Sequence, residues 1–245
     1  MSKINESNFL DYKISYEKNG YVIIENVFDH EKCDEIKSIS DKYADPPDYG
    51  VVLNLHRKND YFFKLISNKD IVKLIKHIQD SDIDAVNDQF LFKKANSKYG
   101  RQSWTFHQDN SYVIAPKGTY IIVHIAVDRS AKENGGLIFL PGSHLEEILE
   151  FKHNKSWREE SNQDNITRPG QSIVNVNEMI KKYPPIDVIF PKGSVCLMHG
   201  NIIHGSHPNL SANHDRNQYS MCYLNRDVKF LNQGKNSKKI RTALY

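Results

Sequence analysis

Two residues near the middle of the chain, His107 and Asp109, have the types and the spacing of metal ligands. They lie in TFHQDNSYV, an alternating stretch typical of a β-strand that runs into a turn. Side chains two positions apart in a strand point the same way, with Cα atoms ~6.5 Å apart, so an imidazole and a carboxylate can converge on one ion. The sequence therefore predicts a metal site here, with Thr105, His107 and Asp109 on one face of a strand.

The triplet alone is weak evidence for a site. A chain with 11 histidines and 30 acidic residues contains roughly one histidine followed two positions later by an acidic residue by chance. A second such triplet, His144-Leu-Glu146, follows PGS and precedes a helical pattern, where the helix dipole explains the acidic residue. We therefore interpret His144 as a residue that fixes a turn.

Two protein ligands are too few for a metal site, so at least one more must come from elsewhere. The segment LMHGNIIHGSHPNLSANHDR contains four histidines, which cannot all be ligands: His199, His204, His207 and His214. The segment ends with Arg216, and an arginine near a metal can hold one carboxylate of a molecule whose other end reaches the ion. Two histidines and one carboxylate leave open coordination positions, as in Fe(II) oxygenases.

The elements that must position these residues follow one another as helices first and strands afterwards. Asp29 and Asn68 are typical N-caps, and each precedes apolar residues at helical spacing. From about residue 86 the pattern changes to short strand-like runs separated by glycine-containing turns. This order predicts a sandwich or barrel with helices that cover one sheet. Residues 150–183 are polar and irregular and are predicted to form a long inserted loop.

Composition and charge exclude several classes of protein. The net charge of +3 is concentrated in residues 226–245, which carry +5, so the rest of the chain is nearly neutral, and no nucleic-acid module is recognisable. No apolar run approaches the ~20 residues of a membrane span, and no signal peptide is visible. Three cysteines without CxxC spacing, Cys33, Cys196 and Cys222, predict buried thiols in a cytoplasmic protein.

Four segments, in this order along the chain, resemble the phytanoyl-CoA dioxygenase family of Fe(II)- and 2-oxoglutarate-dependent oxygenases. YEKNGYVIIENVFDHEKCDEI is similar to the strand and helix that precede the family's catalytic barrel. WTFHQD resembles the family's W-x-x-H-x-D segment, and HIAVDRSAKENGGLIFLPGSH resembles its strand, acidic turn and P-G-S-H block. HGSHPNLSANHDR resembles its H-x-S-x-x-N-x-S…R segment, so the resemblance covers most of the chain.

The resemblance implies a mainly β fold with flanking helices, namely a double-stranded β-helix, the jelly roll of cupin-like barrels. It implies a single domain over residues 1–245. A helical N-terminal part, about 1–85, would pack on a jelly-roll core, about 86–226, followed by a basic tail, about 227–245.

The resemblance also implies the cofactors Fe(2+), 2-oxoglutarate and O2, and roles for individual residues. The iron ligands would be His107, Asp109 and His204. Arg216 would bind the distal carboxylate of 2-oxoglutarate, with help from Ser206.

Two positions depart from the family pattern, and two further residues are candidates from strand phase. Arg216 lies one residue later than usual after His204, which we attribute to one extra residue in the turn SANHD. His124 stands where family members often have tryptophan, and is either a hydrogen-bonding partner of 2-oxoglutarate or a structural histidine. Gln89 and Lys93 are four residues apart, so their side chains lie on the same face of a predicted strand. These side chains either point inward to the co-substrate, line the core or face solvent.

The expected reaction is hydroxylation of an unactivated C–H bond with release of succinate and CO2. Asp109 argues against halogenation, because related halogenases lack this carboxylate. Desaturation, epoxidation and ring formation stay open, because they use the same cofactors. Two other classes also stay open: a cupin-like metal isomerase or hydrolase without 2-oxoglutarate, and a non-catalytic ligand-binding barrel.

The expected partner is a small molecule, polar or anionic, and the sequence favours no nucleic acid or membrane. Trp104 is predicted to be a core residue, and His207 and His214 are predicted to lie in surface loops. Polar and aromatic residues from two segments are candidates for covering the barrel mouth: Tyr49, Asn54, His56, Arg57, Trp157 and Arg158.

Overall fold

The computed structural model describes residues 4–44, 50–153, 170–231 and 241–244. Five α-helices lie in these ranges: α1 Phe9–Asn19, α2 His30–Asp41, α3 Asp60–Ile66, α4 Lys69–Gln79 and α5 Val176–Lys182. The strands of the first half are β1 Tyr21–Ile24, β2 Val51–Leu53, β3 Ile83–Lys93, β4 Trp104–His107, β5 Tyr120–Ala126 and β6 Leu137–Phe139. Those of the second half are β7 Phe151–His153, β8 Gln171–Ile173, β9 Ile186–Asp187, β10 Val195–His199, β11 His204–Ser206, β12 Arg216–Asn225 and β13 Thr242–Ala243.

Seven of the strands form one large antiparallel sheet. Its order is β1-β10-β5-β12-β3-β13, and β2 also pairs with β3. The central strand β5 has the sequence YIIVHIA and is buried at every position, because both faces of the sheet are covered. Two strands of the mainly helical N-terminal part pair at the edges of this sheet: β1, which lies in the segment that resembles a strand and a helix of the family, and β2, which was not predicted.

The small sheet has the strand order β4-β11-β6-β9 and faces one side of the large sheet. We call that side the inner face. Residues of both sheets meet in one apolar cluster between them, with Ile122 and Met198 from the large sheet and Leu137 and Phe139 from the small sheet. This arrangement is the predicted jelly roll, and the fold prediction is confirmed.

The helices of the N-terminal part cover the opposite side of the large sheet, which we call the outer face. Alternate residues of the same strands, such as Val123 and Tyr219, join the helices there in a second apolar cluster. The predicted N-caps are confirmed, because Asp29 accepts a hydrogen bond from Lys32 N and Asn68 accepts from the first turn of α4. The three cysteines are buried free thiols, as predicted.

Two features of the fold differ from the sequence interpretation. The stretch 150–183 is not one continuous loop, because β7 and β8 form a hairpin-like pair and α5 follows them. The strand β11 was not predicted, since three residues, HGS, are too short to show alternation. Across the part of the chain that the structure describes, no helix is long and apolar enough to cross a membrane.

Candidate metal and co-substrate site

His107 is the last residue of β4, and Asp109 begins a single turn of 3₁₀-helix, Asp109–Tyr112. The prediction that Asp109 continues the strand is therefore wrong in detail. The turn is fixed by a hydrogen bond from Asn110 N to Gly200 O, 2.8 Å. It still brings Asp109 Oδ1 to 3.4 Å from His107 Nε2, so the two side chains converge as predicted.

Gln108, between the two candidate ligands, faces away from them and is buried. Its Nε2 donates to Asn201 O at 2.8 Å and to Glu147 O at 3.1 Å, and its Oε1 accepts from Leu149 N at 2.9 Å. A fully bonded buried amide holds its backbone firmly, because every alternative position would leave polar atoms unpaired. Gln108 therefore anchors the segment that carries both ligands.

His204 completes the cluster from β11, where it lies directly opposite His107 on β4. The ring centroids of the two histidines are 4.3 Å apart. His204 Nε2 is 3.8 Å from Asp109 Oδ2. One ligand atom from each of His107, Asp109 and His204 lies within 4.8 Å of the others, which is the spacing of three ligands around one ion.

The hydrogen bonds of the two imidazoles fit a metal centre. Nδ1 of His107 is 2.7 Å from Thr105 O, and Nδ1 of His204 is 3.2 Å from Ile202 O. A carbonyl oxygen only accepts, so both Nδ1 atoms carry the proton and both Nε2 atoms keep a lone pair for a cation. The lone pairs point at the carboxylate of Asp109, and the donor set of two imidazoles and one carboxylate suits a divalent iron ion.

The electrostatics of the cluster agree with this assignment. Burial alone would raise the pKa of Asp109, but His204 and His107 together hold that pKa well below its ordinary value. Burial and the neighbouring His107 lower the pKa of His204 to about 4. At neutral pH the site therefore offers an ionised carboxylate beside a neutral imidazole, the protonation states that a metal requires.

Beside the metal cluster lies a buried cationic pair, Lys93 on β3 and its cross-strand partner Arg216 on β12. Lys93 is 0% and Arg216 3% exposed, and in the described part of the chain neither forms an ion pair with a carboxylate. Burial and the charge of Arg216 lower the pKa of Lys93 to about 6. Lys93 Nζ donates to Ser206 Oγ at 2.8 Å and to His207 O. We call Lys93, Ser206 and Arg216 the anion anchor.

The turn ENGG leaves room for the anion anchor. Gly135 has φ +92°, and a Cβ there would lie 2.6 Å from Cδ of Lys93. Its carbonyl accepts a hydrogen bond from Arg216 Nε at 3.2 Å. Glycine is therefore required for both the backbone conformation and the close approach of the lysine.

Four more polar residues lie on the inner face of the large sheet near the cluster. His124 and Gln89 both lie directly opposite Ser220, and His124 Nδ1 is 3.0 Å from Ser220 Oγ. Burial, with smaller effects of neighbouring charges, lowers the pKa of His124 to about 3. Gln218 accepts a hydrogen bond from Arg216 Nη1 at 3.1 Å and was missed from the sequence, although its spacing of two from Arg216 indicates the same face.

Trp104 is 38% exposed and is not the core residue that was predicted. A β-bulge separates two register pairs, Trp104 with Ser206 and His107 with His204. Residues 204 and 206 of β11 point to the same side of the small sheet, so their partners on β4 point to that side too. Trp104 and His107 therefore share a face although they are three residues apart, because the bulge adds one residue to β4. Their rings are 6.0 Å apart, and Tyr112 lies on another side of His107 at 6.2 Å. Both aromatic residues therefore border the metal cluster.

The remaining histidines do not join the site. His144 Nε2 is 3.0 Å from Glu17 O, and His207 pairs with Asp187 at the surface, as predicted for a turn and a loop residue. His214 is exposed. His199 faces the outer side, with its ring 6.0 Å from that of Tyr16.

The residues proposed to cover the barrel mouth are only partly described. His56 is buried, with Nδ1 3.0 Å from Asp88 Oδ2, and Asp88 also accepts from Tyr219 on the outer face. The prediction that His56 covers the mouth is therefore wrong. Residues 49, 157 and 158, together with most of the basic tail, lie outside the described residues.

Comparison with known protein families gives one match over most of the chain. The family model for "Phytanoyl-CoA dioxygenase (PhyH)" matches residues 16–217. A phytanoyl-CoA dioxygenase domain-containing protein 1 homolog from Caenorhabditis briggsae is 25% identical, over 82% of this chain and 86% of the relative. A probable alpha-ketoglutarate-dependent hypophosphite dioxygenase from Stutzerimonas stutzeri is also 25% identical, over 65% of this chain and 52% of that protein.

Solved structures with the same fold cover nearly the whole chain. The epimerase SnoN, in complex with Fe3+, alpha ketoglutarate and nogalamycin RO, has a TM-score of 0.75 at 16% identity, over 98% of this chain and 97% of SnoN. EctD from S. alaskensis in its apoform has a TM-score of 0.72 at 14% identity, over 99% of this chain and 89% of EctD. At these identities the likeness is one of fold.

Proposed function

This chain belongs to the phytanoyl-CoA dioxygenase family of iron- and 2-oxoglutarate-dependent oxygenases, and on that premise we propose that it hydroxylates a C–H bond of a small substrate. The observation that carries the proposal is the pairing of a His-Asp-His cluster, carried by the small sheet and the turn after β4, with the buried basic residues Lys93 and Arg216 on the inner face of the large sheet. The His-Asp-His cluster suits a metal ion, and the pair of Lys93 and Arg216 suits a carboxylate. 2-oxoglutarate needs both parts, because it would bind the metal at one end and the basic pair with the carboxylate at its other end. Succinate and CO2 would be released with the hydroxylated product.

His107, Asp109 and His204 would hold the iron(II). With 2-oxoglutarate bound, the iron supplies oxidation of the substrate by O2, coupled to decarboxylation of the co-substrate. The contribution of the protein is to fix the ligands, and it does so through Gln108 and through the backbone carbonyls that orient both imidazoles.

The anion anchor would bind the distal carboxylate of 2-oxoglutarate. Arg216 presents a guanidinium in a buried site, where charged hydrogen bonds are stronger than in water. Lys93 adds a second donor, and Ser206 is already bonded to it. In the free protein Arg216 is a buried charge with no carboxylate partner among the described residues, and Lys93, whose pKa burial and Arg216 lower to about 6, is mostly neutral. An incoming dianion would offset the cost of the buried guanidinium and favour protonation of Lys93.

We place the substrate beside Trp104 and Tyr112. Both rings border His107, and Trp104 is the more exposed, so it can contact a molecule that approaches from solvent. Phe139 borders His204, with ring centroids 6.2 Å apart, but the inner face of the large sheet carries the polar side chains of Gln89, His124 and Gln218, which favour a small polar or anionic substrate over a long acyl chain. We also propose that the chain works as a single domain in the cytoplasm, where its three thiols stay reduced.

Anaerobic titration of the iron(II)-loaded protein with 2-oxoglutarate tests the cofactor assignment. Chelation produces a charge-transfer absorption band in the visible range, and a folded, iron-loaded protein without that band would contradict the proposal. Arg216→Ala should weaken 2-oxoglutarate binding about 10- to 100-fold while iron stays bound, because only the distal anchor is lost. Arg129→Ala, an exposed arginine paired with Glu133, is the matched control.

The reaction type needs a second experiment. Candidate substrates are screened for succinate release above the uncoupled background, and the product of each positive is analysed by mass. A gain of one oxygen atom together with one exchangeable hydrogen supports hydroxylation, whereas a gain of one oxygen atom without a new exchangeable hydrogen indicates epoxidation and would contradict it. A loss of two hydrogens, or an unchanged mass with altered stereochemistry, would contradict it while leaving the cofactors intact.

A further inference from the structure

Gln171, the first residue of β8, is buried and forms hydrogen bonds with the segment that carries two of the candidate ligands. Its carbonyl oxygen accepts from Thr105 Oγ1 at 3.2 Å. Its side-chain amide is hydrogen-bonded to Ser111 Oγ, and its backbone N donates to the phenol oxygen of Tyr112 at 2.9 Å. Thr105 precedes both ligands and the other two partners follow them, so one buried residue holds the segment before and after its ligands.

The Ser111 side chain fixes the single turn that begins at Asp109. Ser111 is 2% exposed, and its hydroxyl contacts Gln108 O at 2.6 Å as well as the amide of Gln171. A buried hydroxyl with partners on both sides resists movement, because a shift of the turn would leave polar atoms unpaired. The direction of the Asp109 carboxylate therefore depends on a contact with β8, a strand outside both barrel sheets.

Tyr112 is held by the backbone of the same residue. Its ring lies edge-on to that of His107, with centroids 6.2 Å apart and planes at 77°. The hydrogen bond from Gln171 N fixes the phenol oxygen, and a ring that turned away from the imidazole would leave this backbone N–H unpaired. Both ligands of the segment are thus bordered by groups that Gln171 holds in place.

The strand that carries Gln171 is itself attached to the small sheet. Ile173 of β8 packs in an apolar cluster with Leu140 and Ile203, which follow β6 and precede β11. A support that packs on the small sheet keeps its place relative to that sheet. The contacts of Gln171 therefore restrain the ligand segment relative to His204 on β11.

We propose that Gln171 is a positioning residue of the metal site, which sets the direction of the Asp109 carboxylate through Ser111. The inference rests on the metal site of the proposed function and adds the residue that holds it in shape. A carboxylate can bind an ion from many directions, and an ion already held by two imidazoles accepts only some of them. Polar residues behind the ligands select among these directions, and their loss typically costs about 10- to 100-fold in metal affinity.

Cobalt(II), whose visible absorption reports its coordination geometry, tests the proposal in place of iron(II). Gln171→Leu removes the side-chain amide and keeps both backbone contacts, so we expect its cobalt(II) Kd to rise about 10-fold, with a shifted d–d absorption spectrum. Gln79→Leu, at the end of α4 in the helical layer, is the matched control and should change neither the affinity nor the spectrum. Competition with a chromophoric chelator measures Kd.

A double variant shows whether the contact between Gln171 and Ser111 carries the effect. Ser111→Ala removes the same contact from its other partner and should also weaken cobalt(II) binding and shift the spectrum. Because the two substitutions delete one contact, the double variant should lose about as much affinity as Ser111→Ala alone. Two independent losses that multiply would overturn this role of the contact. If Gln171→Leu does not fold, the affinity and spectrum of Ser111→Ala decide the question.

The outcomes separate the inference from the proposed function. Cobalt(II) affinity and spectrum that are unchanged in both single variants overturn the inference alone, even if urea unfolding shows a loss of stability, because Gln171 then supports only the packing of β8. A wild type that binds cobalt(II) but not 2-oxoglutarate overturns the proposed function and leaves the inference standing. A wild type that binds neither cobalt(II) nor iron(II) overturns both.

Discussion

Lys93 and Arg216 lie directly opposite each other on β3 and β12, with both cationic side chains buried on the inner face of the large sheet. Two positive charges that are close together and poorly solvated repel each other, so the doubly protonated form of the Lys93 amine and the Arg216 guanidinium is disfavoured. Lys93 loses its proton first, because a lysine amine has a lower intrinsic pKa than a guanidinium. The charge state of this pair should therefore change when an anion binds.

We expect 2-oxoglutarate binding to be coupled to proton uptake. Because the pKa of Lys93 is about 6 in the free protein, the amine is mostly neutral at pH 7.5, and a bound dianion raises that pKa. Affinity should then rise as the pH falls from 8 toward 6. Calorimetry in two buffers of different ionisation enthalpy measures the uptake.

Lys93→Met should abolish both the proton uptake and the pH dependence of affinity. Lys94→Met is the matched control, since Lys94 lies over the ring of Phe92 rather than in the anion anchor. Identical binding enthalpies for the wild type in both buffers at pH 7.5 would contradict the coupling.

Removal of either histidine ligand should release the metal. His107→Ala and His204→Ala each take one of three donors from the cluster, and we expect metal affinity to fall by at least about 100-fold, a loss comparable to the largest effects of outer-shell changes. Metal content and calorimetric titration measure the effect. His214→Ala, at an exposed position, should leave affinity unchanged. Retention of iron by His204→Ala would exclude it as a ligand.

Trp104→Ala should affect the substrate and spare the co-substrate. We expect its KM for the substrate to rise about three- to tenfold, because the ring borders His107. The 2-oxoglutarate affinity should be unchanged, because the bond from Trp104 to the anion anchor, N to Ser206 Oγ at 3.4 Å, comes from the backbone that alanine keeps. Succinate release at varied substrate concentration gives KM. A loss of stability of about 3–5 kcal/mol in urea unfolding, the cost of truncating a core tryptophan, would show that Trp104 is a packing residue instead.

Gly135→Ala should destabilise the fold and weaken 2-oxoglutarate binding together. The new Cβ would meet Lys93 at 2.6 Å, and φ of +92° is unfavourable for alanine, so we expect a loss of about 1–3 kcal/mol. Gly170→Ala is the control, because its Cβ would approach no nearer than 3.9 Å and its φ is ordinary. Urea unfolding and the co-substrate titration measure the two effects, and unchanged stability in Gly135→Ala would contradict this account.

Local patterns predicted a sandwich or barrel covered by helices and the convergence of His107 with Asp109, whereas the jelly roll itself was implied by the family resemblance. Strand alternation, N-caps and glycine turns are all readable within a short window, and the caps at Asp29 and Asn68 were correctly located. His204 needed the family resemblance, since four histidines in one segment are equivalent by spacing alone.

The errors share a physical cause, which is that they depend on contacts between distant segments. The bulge opposite Ser206 places Trp104 on the face of His107, and no local pattern indicates a bulge. His56 is buried because Asp88, 32 residues later, accepts its hydrogen bonds. Gln218 is an exception, because its spacing of two from Arg216 already indicates the same face of the strand.

The metal cluster and the cationic pair belong to different sheets. His107 and His204 come from β4 and β11, whereas Lys93 and Arg216 come from β3 and β12. A single small molecule that contacts both would act as a removable cross-link through the middle of the barrel. At 100 times its Kd, such a ligand adds about 2.7 kcal/mol to the free energy of unfolding. Resistance to heat would then report how fully the barrel is loaded.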